Sequence, residues 1–269
     1  MSEAVILVPL DGSEQALAAL PVAKVLGEIE RAALRIVHVS ERRPASAELL
    51  KLKATVPDGS TVHARTGEPA AEILLAAGEM KPRLIVMCTY TAAKPGRTLG
   101  STATNVLRNA PCPVVLVPPG RGSIAWHLHH VLVPHDGTPT TSAALRPAAE
   151  LAERASAELL VAHVTGIRAA PAEPGSLTTP RYVDQPQHEW PAWTREFVKR
   201  LECICPLGHL HVRMVLAHGN PAAEIVRLAK KQAADLMVLA WRGKWEVPRA
   251  VTLKDILRET QCPIMVVRA

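Results

Sequence analysis

ILVPLDG at Ile6–Gly12 returns as VLVPHDG at Val131–Gly137, with Asp11 and Asp136 standing 125 residues apart. Each copy is an apolar, β-branched run that stops at an Asp-Gly pair, the composition of a buried strand entering a turn. Four further segments repeat in the same order. LRIVHV at Leu34–Val39 returns as LLVAHV at Leu159–Val164, and GEPAAEIL at Gly67–Leu74 as GNPAAEIV at Gly219–Val226. LIVM at Leu84–Met87 returns as LMVL at Leu236–Leu239, and LRNAPCPVVLV at Leu107–Val117 as LRETQCPIMVV at Leu257–Val267. Conserved order across five segments means duplication. The offset grows to 152 at Gly67 and Gly219, so copy two carries 27 extra residues between its second and third strand-like runs. It then falls to 150 at Cys112 and Cys262, leaving the loop before the last strand two residues shorter.

Working outward from these anchors, copy one reads as strands near 4–9, 34–39, 61–65, 84–88 and 113–117. Helical patterns fall near 14–29, 68–79 and 101–109, with a weaker one near 45–53. The first helix carries Leu17, Leu20, Val25 and Ile29 on an imperfect period, and Pro21 is expected to kink it. Alternating strands and helices imply an α/β fold: two tandem doubly wound domains, each a five-stranded parallel sheet with helices on both faces. Runs such as VILV and VVLV suit strands buried on both sides. Ligands are then expected at the carboxyl ends of the strands. The domains are drawn at 1–119 and 130–269, the second with an insertion near 166–206. The Pro- and Gly-containing stretch 120–129 reads as a linker.

The 269 residues suffice for two domains, and 48% apolar with 21% charged residues marks a globular chain. A net charge of +6 raises nucleic-acid binding, but the basic residues are scattered and only eight aromatics are present, so no nucleic-acid partner is expected. No apolar run reaches membrane-spanning length, and MSEAVILVPL lacks a signal-peptide pattern, so neither membrane nor export is expected. Five cysteines without framework spacing favour a reduced, cytoplasmic protein.

These ordered motifs resemble the universal stress protein family in a tandem two-domain form. The resemblance rests on VPLDGS and VPHDGT, the VHV and AHV strand ends, G-x-P-A-A-E-I, and GST followed by VLRNAPCPVVLV. It spans nearly the whole chain and implies an adenine nucleotide alpha-hydrolase-like fold. It further implies a site for ATP or another adenine nucleotide, formed by Asp11, Val39, Met87, Cys88, Arg97, Gly100, Ser101 and Thr102. Asp11 would hold the adenosine end and Val39 would line the base pocket. Gly100–Thr102 would receive phosphates at a helix start, with Lys94 and Arg97 nearby. The family's last strands pair antiparallel across a two-fold, which implies a monomeric pseudo-dimer or a homodimer, with an unknown protein partner.

The family's G-x2-G-x9-G-[ST] turn is incomplete. Cys88 and Thr91 replace the leading glycines, and the spacer from Thr91 to Gly100 is one residue short. Two readings stand at Gly100–Thr102: a phosphate site, or an ordinary helix start capped by Ser101. In copy two the triplet aligns to Ala250, Val251 and Thr252, and Trp190, Trp193, Trp241 and Trp245 gather there, either filling an unused pocket or packing a helix on the sheet. The expected reading is weak nucleotide binding through copy one, in a regulatory or sensing role rather than an enzymatic one, with no catalytic residues. A nucleotide-free interaction module is the alternative.

Cys203, Cys205, His209 and His211 have zinc-ligand chemistry, but C-x-C is not the usual spacing and no metal is expected. His38 and His163 repeat within the second strand of each copy as an inherited position. Cys112 and Cys262, each before a Pro, read as small buried hydrophobes.

Overall fold

The computed structural model describes residues 3–40, 42, 46–89, 99–120, 125–165, 174, 176, 195–203, 205, 210–243 and 248–269. The chain forms two compact units. The first comprises Met1–His127 and Leu257–Val266, the second Leu128–Ile256 and Val267–Ala269.

In the first unit the order is β1 (Val5–Pro9), α1 (Glu14–Leu17), α2 (Ala19–Glu30), β2 (Ala33–Ser40), α3 (Ser46–Thr55), β3 (Thr61–Thr66), α4 (Pro69–Met80), β4 (Leu84–Cys88), α5 (Ser101–Asn109) and β5 (Val114–Val117). The strands lie in the order β3-β2-β1-β4-β5. All four pairings among them are parallel, with Val5 opposite Ala33 and Ile6 opposite Leu84. β1, β4 and β5 are buried at every position, as aliphatic runs covered on both faces must be. β3 is exposed or half-buried along its length and carries His63 and Arg65, polar groups that suit a strand at the sheet's end. Strand β10 (Ile264–Arg268) pairs antiparallel with β5 through Ile264, Met265 and Val266, opposite Leu116, Val115 and Val114.

The second unit repeats the pattern with β6 (His130–Pro134), α6 (Pro139–Ser142), α7 (Leu145–Ala155), β7 (Glu158–Thr165), β8 (Val212–His218), α9 (Pro221–Lys231), β9 (Leu236–Trp241) and α10 (Pro248–Glu259). Its strands run β9-β6-β7-β8, all parallel. Between β7 and β8 the inserted segment supplies a helix over residues 195–203, here α8.

The expected first helix is two helices. α1 ends at Leu17, and Pro21 occupies the third position of α2. A helix's first four N–H groups have no intrahelical partner, so Pro is tolerated there and the chain breaks at Ala18 rather than kinking at Pro21. α7 has Pro147 at its third position for the same reason. Among the described residues no helix is long and apolar enough to cross a membrane.

Candidate functional site

In an open α/β sheet the ligand crevice lies beyond the carboxyl ends of the strands, where strand order reverses. In the first unit that point lies between β1 and β4. β1 is followed by buried Leu10 and then exposed Asp11. Gly12 turns the chain at φ +85°, a conformation that side chains disfavour, and Gly137 matches it at +84°. The Asp11 carboxylate accepts bonds from the Ser13 N–H (3.0 Å) and hydroxyl (2.7 Å), both on Oδ1. Ser13 Oγ in turn accepts the Ala16 N–H and caps α1. The turn therefore holds Asp11 by one oxygen, and Oδ2 accepts no hydrogen bond among the described residues. Buried His38 fixes the strand end from below by donating from Nδ1 to the Leu10 carbonyl at 2.9 Å.

At the end of β4, Met87 and Cys88 are buried side chains. Thr89 next donates its N–H to the Val117 carbonyl (3.0 Å) and accepts the Gly100 N–H at 2.8 Å. This last bond closes the loop at its two ends and sets the start of α5 against the end of β4. Gly100 itself is the N-cap, with φ −62° and ψ 156°, and no side chain caps the helix. Ser101 is therefore the first helical residue rather than the cap. It is exposed, and Thr102 is half-buried. The Gly100 carbonyl accepts both the Thr104 N–H (2.8 Å) and its hydroxyl (2.9 Å), anchoring the first turn from within. Val39 is half-buried near the end of β2, the neighbour of β1. Thr91, Lys94 and Arg97 lie outside the described residues.

The second unit is built differently at the equivalent place. Asp136 Oδ1 takes three bonds, from the Thr138 N–H (3.1 Å) and the hydroxyls of Thr138 (2.6 Å) and Thr141 (2.8 Å). His135, the counterpart of Leu10, is buried. Its Nδ1 accepts the Gly137 N–H at 3.0 Å, so Nε2 carries the proton and donates to Ser142 Oγ at 3.1 Å. Burial pushes the His135 imidazole down to about 4, with His163 adding to the shift and Asp136 opposing it. Burial also lowers His163, which donates from Nδ1 to the His135 carbonyl at 2.8 Å.

Phe197 of α8, the chain's one phenylalanine, covers both rings. It meets His135 edge-on with centroids 5.1 Å apart and lies tilted over His163 at 5.8 Å. Among the described residues, the ring packed on His135 and His163 is that of Phe197. Trp241 is buried at the end of β9, and Trp190, Trp193 and Trp245 lie outside the described residues. α10 begins at Pro248, so Val251 and Thr252 fall inside the helix rather than at its start, and Val251 is exposed. The aligned triplet offers no phosphate-binding turn.

The zinc candidates are apart in character. Cys203 is exposed at the end of α8, and Cys205 is buried, which raises its thiol. His209 lies outside the described residues. His211 precedes β8 and lies 3.5 Å from Glu158, whose carboxylate is held by Arg213 at 2.9 and 3.1 Å. That bidentate pair holds Glu158 below the usual carboxylate range. Among the described residues no group of three His, Cys, Asp or Glu side chains is arranged to hold a metal ion.

Phe197 and the Thr89–Gly100 closure are the two features that motif reading missed. Phe197 could have been found from its i, i+4 spacing to Leu201, an apolar pair flanked by charged residues. The closure leaves no mark in sequence, because it is made by backbone alone.

The family model for the universal stress protein family matches residues 45–118 and 127–268. A universal stress protein of Mycobacterium tuberculosis is 27% identical over 217 residues, covering 77% of this chain and 66% of that protein. The chain thus spans about two thirds of that relative's length. A Thermus aquaticus universal stress protein is 35% identical over 132 residues, 42% of this chain and 96% of its own. A solved universal stress protein from Archaeoglobus fulgidus shares the fold with a TM-score of 0.67 at 18% identity, covering 100% of this chain and 99% of that one.

Proposed function

The chain belongs to the universal stress protein family, and we propose that its first unit binds an adenine nucleotide such as ATP, weakly, in a regulatory or sensing role. The observation that carries this reading is the Thr89–Gly100 hydrogen bond, which sets the uncapped start of α5 beside β4 while Asp11 stands at the end of neighbouring β1. Free N–H groups and the positive end of the helix dipole favour a phosphate there, and the Ser101 and Thr102 hydroxyls add donors. Asp11 Oδ2 suits a ribose hydroxyl, with Val39 beside the base. Weakness follows from Cys88 and Thr91, which stand where glycines would let the backbone approach the ligand. The role is non-catalytic and cytoplasmic, it requires no metal, and a protein partner reads the bound state.

Calorimetry with ATP and AMP tests this on the wild type, Gly100→Ala and Ser101→Asp. Gly100 has a φ that alanine adopts freely, so loss of binding in Gly100→Ala reports close approach rather than strain. Ser101→Asp favours the helix by its charge yet repels phosphate. One site per chain in the wild type, weakened in both variants, is expected. No heat with either nucleotide rejects the reading.

The fully bonded Asp136 carboxyl oxygen and the Phe197 cover favour a second reading for the other unit, as a nucleotide-free interaction module.

A further inference from the structure

Cys203 and Cys205, separated by one residue, stand at the end of α8 and serve neither the nucleotide reading nor, among the described residues, a metal site. Both are reduced, and their surroundings are opposite. Cys203 is exposed, whereas Cys205 is 4% exposed. The Cys205 N–H donates to the Leu201 carbonyl at 2.8 Å, the i to i−4 bond of an α-helix, so the helical path still holds at that point. Side chains two apart on such a path point to opposite sides, which puts one thiol in water and the other against the protein.

Cys205 completes the attachment of its helix. Phe197, Leu201 and Cys205 follow one another at i, i+4 and i+8, and among the described residues of 195–205 these three alone are buried. Arg146, Glu150 and Glu153, all of α7, lie close enough to act on the Cys205 thiol. Burial is the main cause that raises it, with Arg146 opposing and both glutamates adding. While the helix is docked, Cys205 therefore stays protonated and unreactive, and Cys203 is the thiol that meets reagents from solution.

We propose that Cys203 and Cys205 form a reversible dithiol switch, in which a small disulfide of the glutathione class oxidises the pair and detaches the end of α8. The Cys203 thiolate attacks one sulfur of the small disulfide, forming a mixed disulfide and expelling one thiolate. Cys205, once its turn of helix opens and its thiol gives up its proton, attacks the Cys203 sulfur and expels the second thiolate. The protein pair loses two electrons and two protons, and the small disulfide takes them up as two thiols. Geometry couples this chemistry to conformation. Two cysteines whose Cβ atoms point apart cannot be bridged without backbone movement. The bridge therefore breaks the Cys205–Leu201 bond and withdraws the last of three buried anchors. A ring closed over a single intervening residue is strained, so the bridge is readily reduced and the switch resets.

The test equilibrates the full-length protein with mixtures of reduced and oxidised glutathione, blocks the remaining thiols, and measures the mass of the peptide carrying both cysteines. The wild type is expected to lose two hydrogens there, to retain no glutathione, and to recover on reduction. Cys205→Ser is expected to keep one glutathione on Cys203. Because the chain has one phenylalanine, 4-fluorophenylalanine gives a single fluorine resonance, at Phe197. Oxidation of the wild type should move that resonance towards the solvent-exposed shift, whereas glutathione on Cys203 of Cys205→Ser should leave it in place. A wild type that keeps glutathione on Cys203 beside a reduced Cys205 overturns the proposal, as does a disulfide-linked dimer through Cys203. A bridge between the two that leaves the fluorine resonance unmoved overturns it too. Should Cys205→Ser not fold, the wild-type mass and fluorine measurements decide the matter alone.

Discussion

Replacing His135 by leucine, the residue at the equivalent position of the first copy, is expected to flatten the protein's stability between neutral and acid pH. In the folded chain burial lowers the imidazole from 6.5 to about 4. At 1.36 kcal/mol per unit this amounts to about 3 kcal/mol. The sign follows from proton binding. Between pH 6.5 and about 4 the unfolded chain takes up a proton at this residue and the folded chain does not, so stability falls as pH falls through that window. His163, lowered in the same direction by burial, adds to the slope. The structural cost is local. A proton on Nδ1 would face the Gly137 N–H instead of accepting from it. Urea unfolding at a series of pH values measures the effect in wild type and His135→Leu. Leucine leaves the Gly137 N–H without its acceptor, an offset of about 1–3 kcal/mol that does not depend on pH. The wild type should lose about 3 kcal/mol more than the variant on going from pH 7 to pH 4. Parallel curves, or an NMR titration of His135 with a midpoint near the ordinary histidine value, would refute the reasoning.

Gly67→Ala and Gly219→Ala test why G-x-P-A-A-E is written twice. Both glycines have positive φ, +147° and +139°, and a Cβ would meet Glu72 Cγ at 3.1 Å or Glu224 Cγ at 3.3 Å. Each should cost about 1–3 kcal/mol in thermal unfolding, Gly67 the more, and an unchanged Tm in both would count against the account. Arg213→Ala should raise the Glu158 pKa in an NMR titration, since Arg213 is the main cause of its lowering, while changing stability by no more than about 1 kcal/mol at this solvent-facing pair. With a thiol reagent at pH 8, exposed Cys203 should react first. Cys112, pushed up to about 12 by burial, should stay slow, and rapid modification of Cys112 would contradict its environment.

The first unit was legible almost residue by residue because its strands are uninterrupted aliphatic runs and its helix starts carry their own chemistry. The run 84–88 is β4 itself, and Glu68 before Pro69 caps α4 through the Ala70 and Ala71 N–H groups. Pro21 was legible as a disturbance but not as the third residue of a new helix, because tolerance for Pro depends on where the preceding helix stops. Ser101 looked like a cap because Ser favours that position, yet the backbone bond from Gly100 to Thr89 moves the cap one residue earlier. The aromatic packing on His135 and His163 was not legible from motifs, since Phe197 lies in the segment without a counterpart in copy one. Attention to the repeated His163 alone gave no hint of the ring above it.

Crystals of the full chain grown with saturating ATP test the central claim most directly. The account predicts one nucleotide per chain, in the first unit, with phosphate oxygens on the Ser101 and Thr102 N–H groups and the ribose on Asp11. A first unit without nucleotide, or a nucleotide found in the second unit over an undisturbed Phe197, would contradict it.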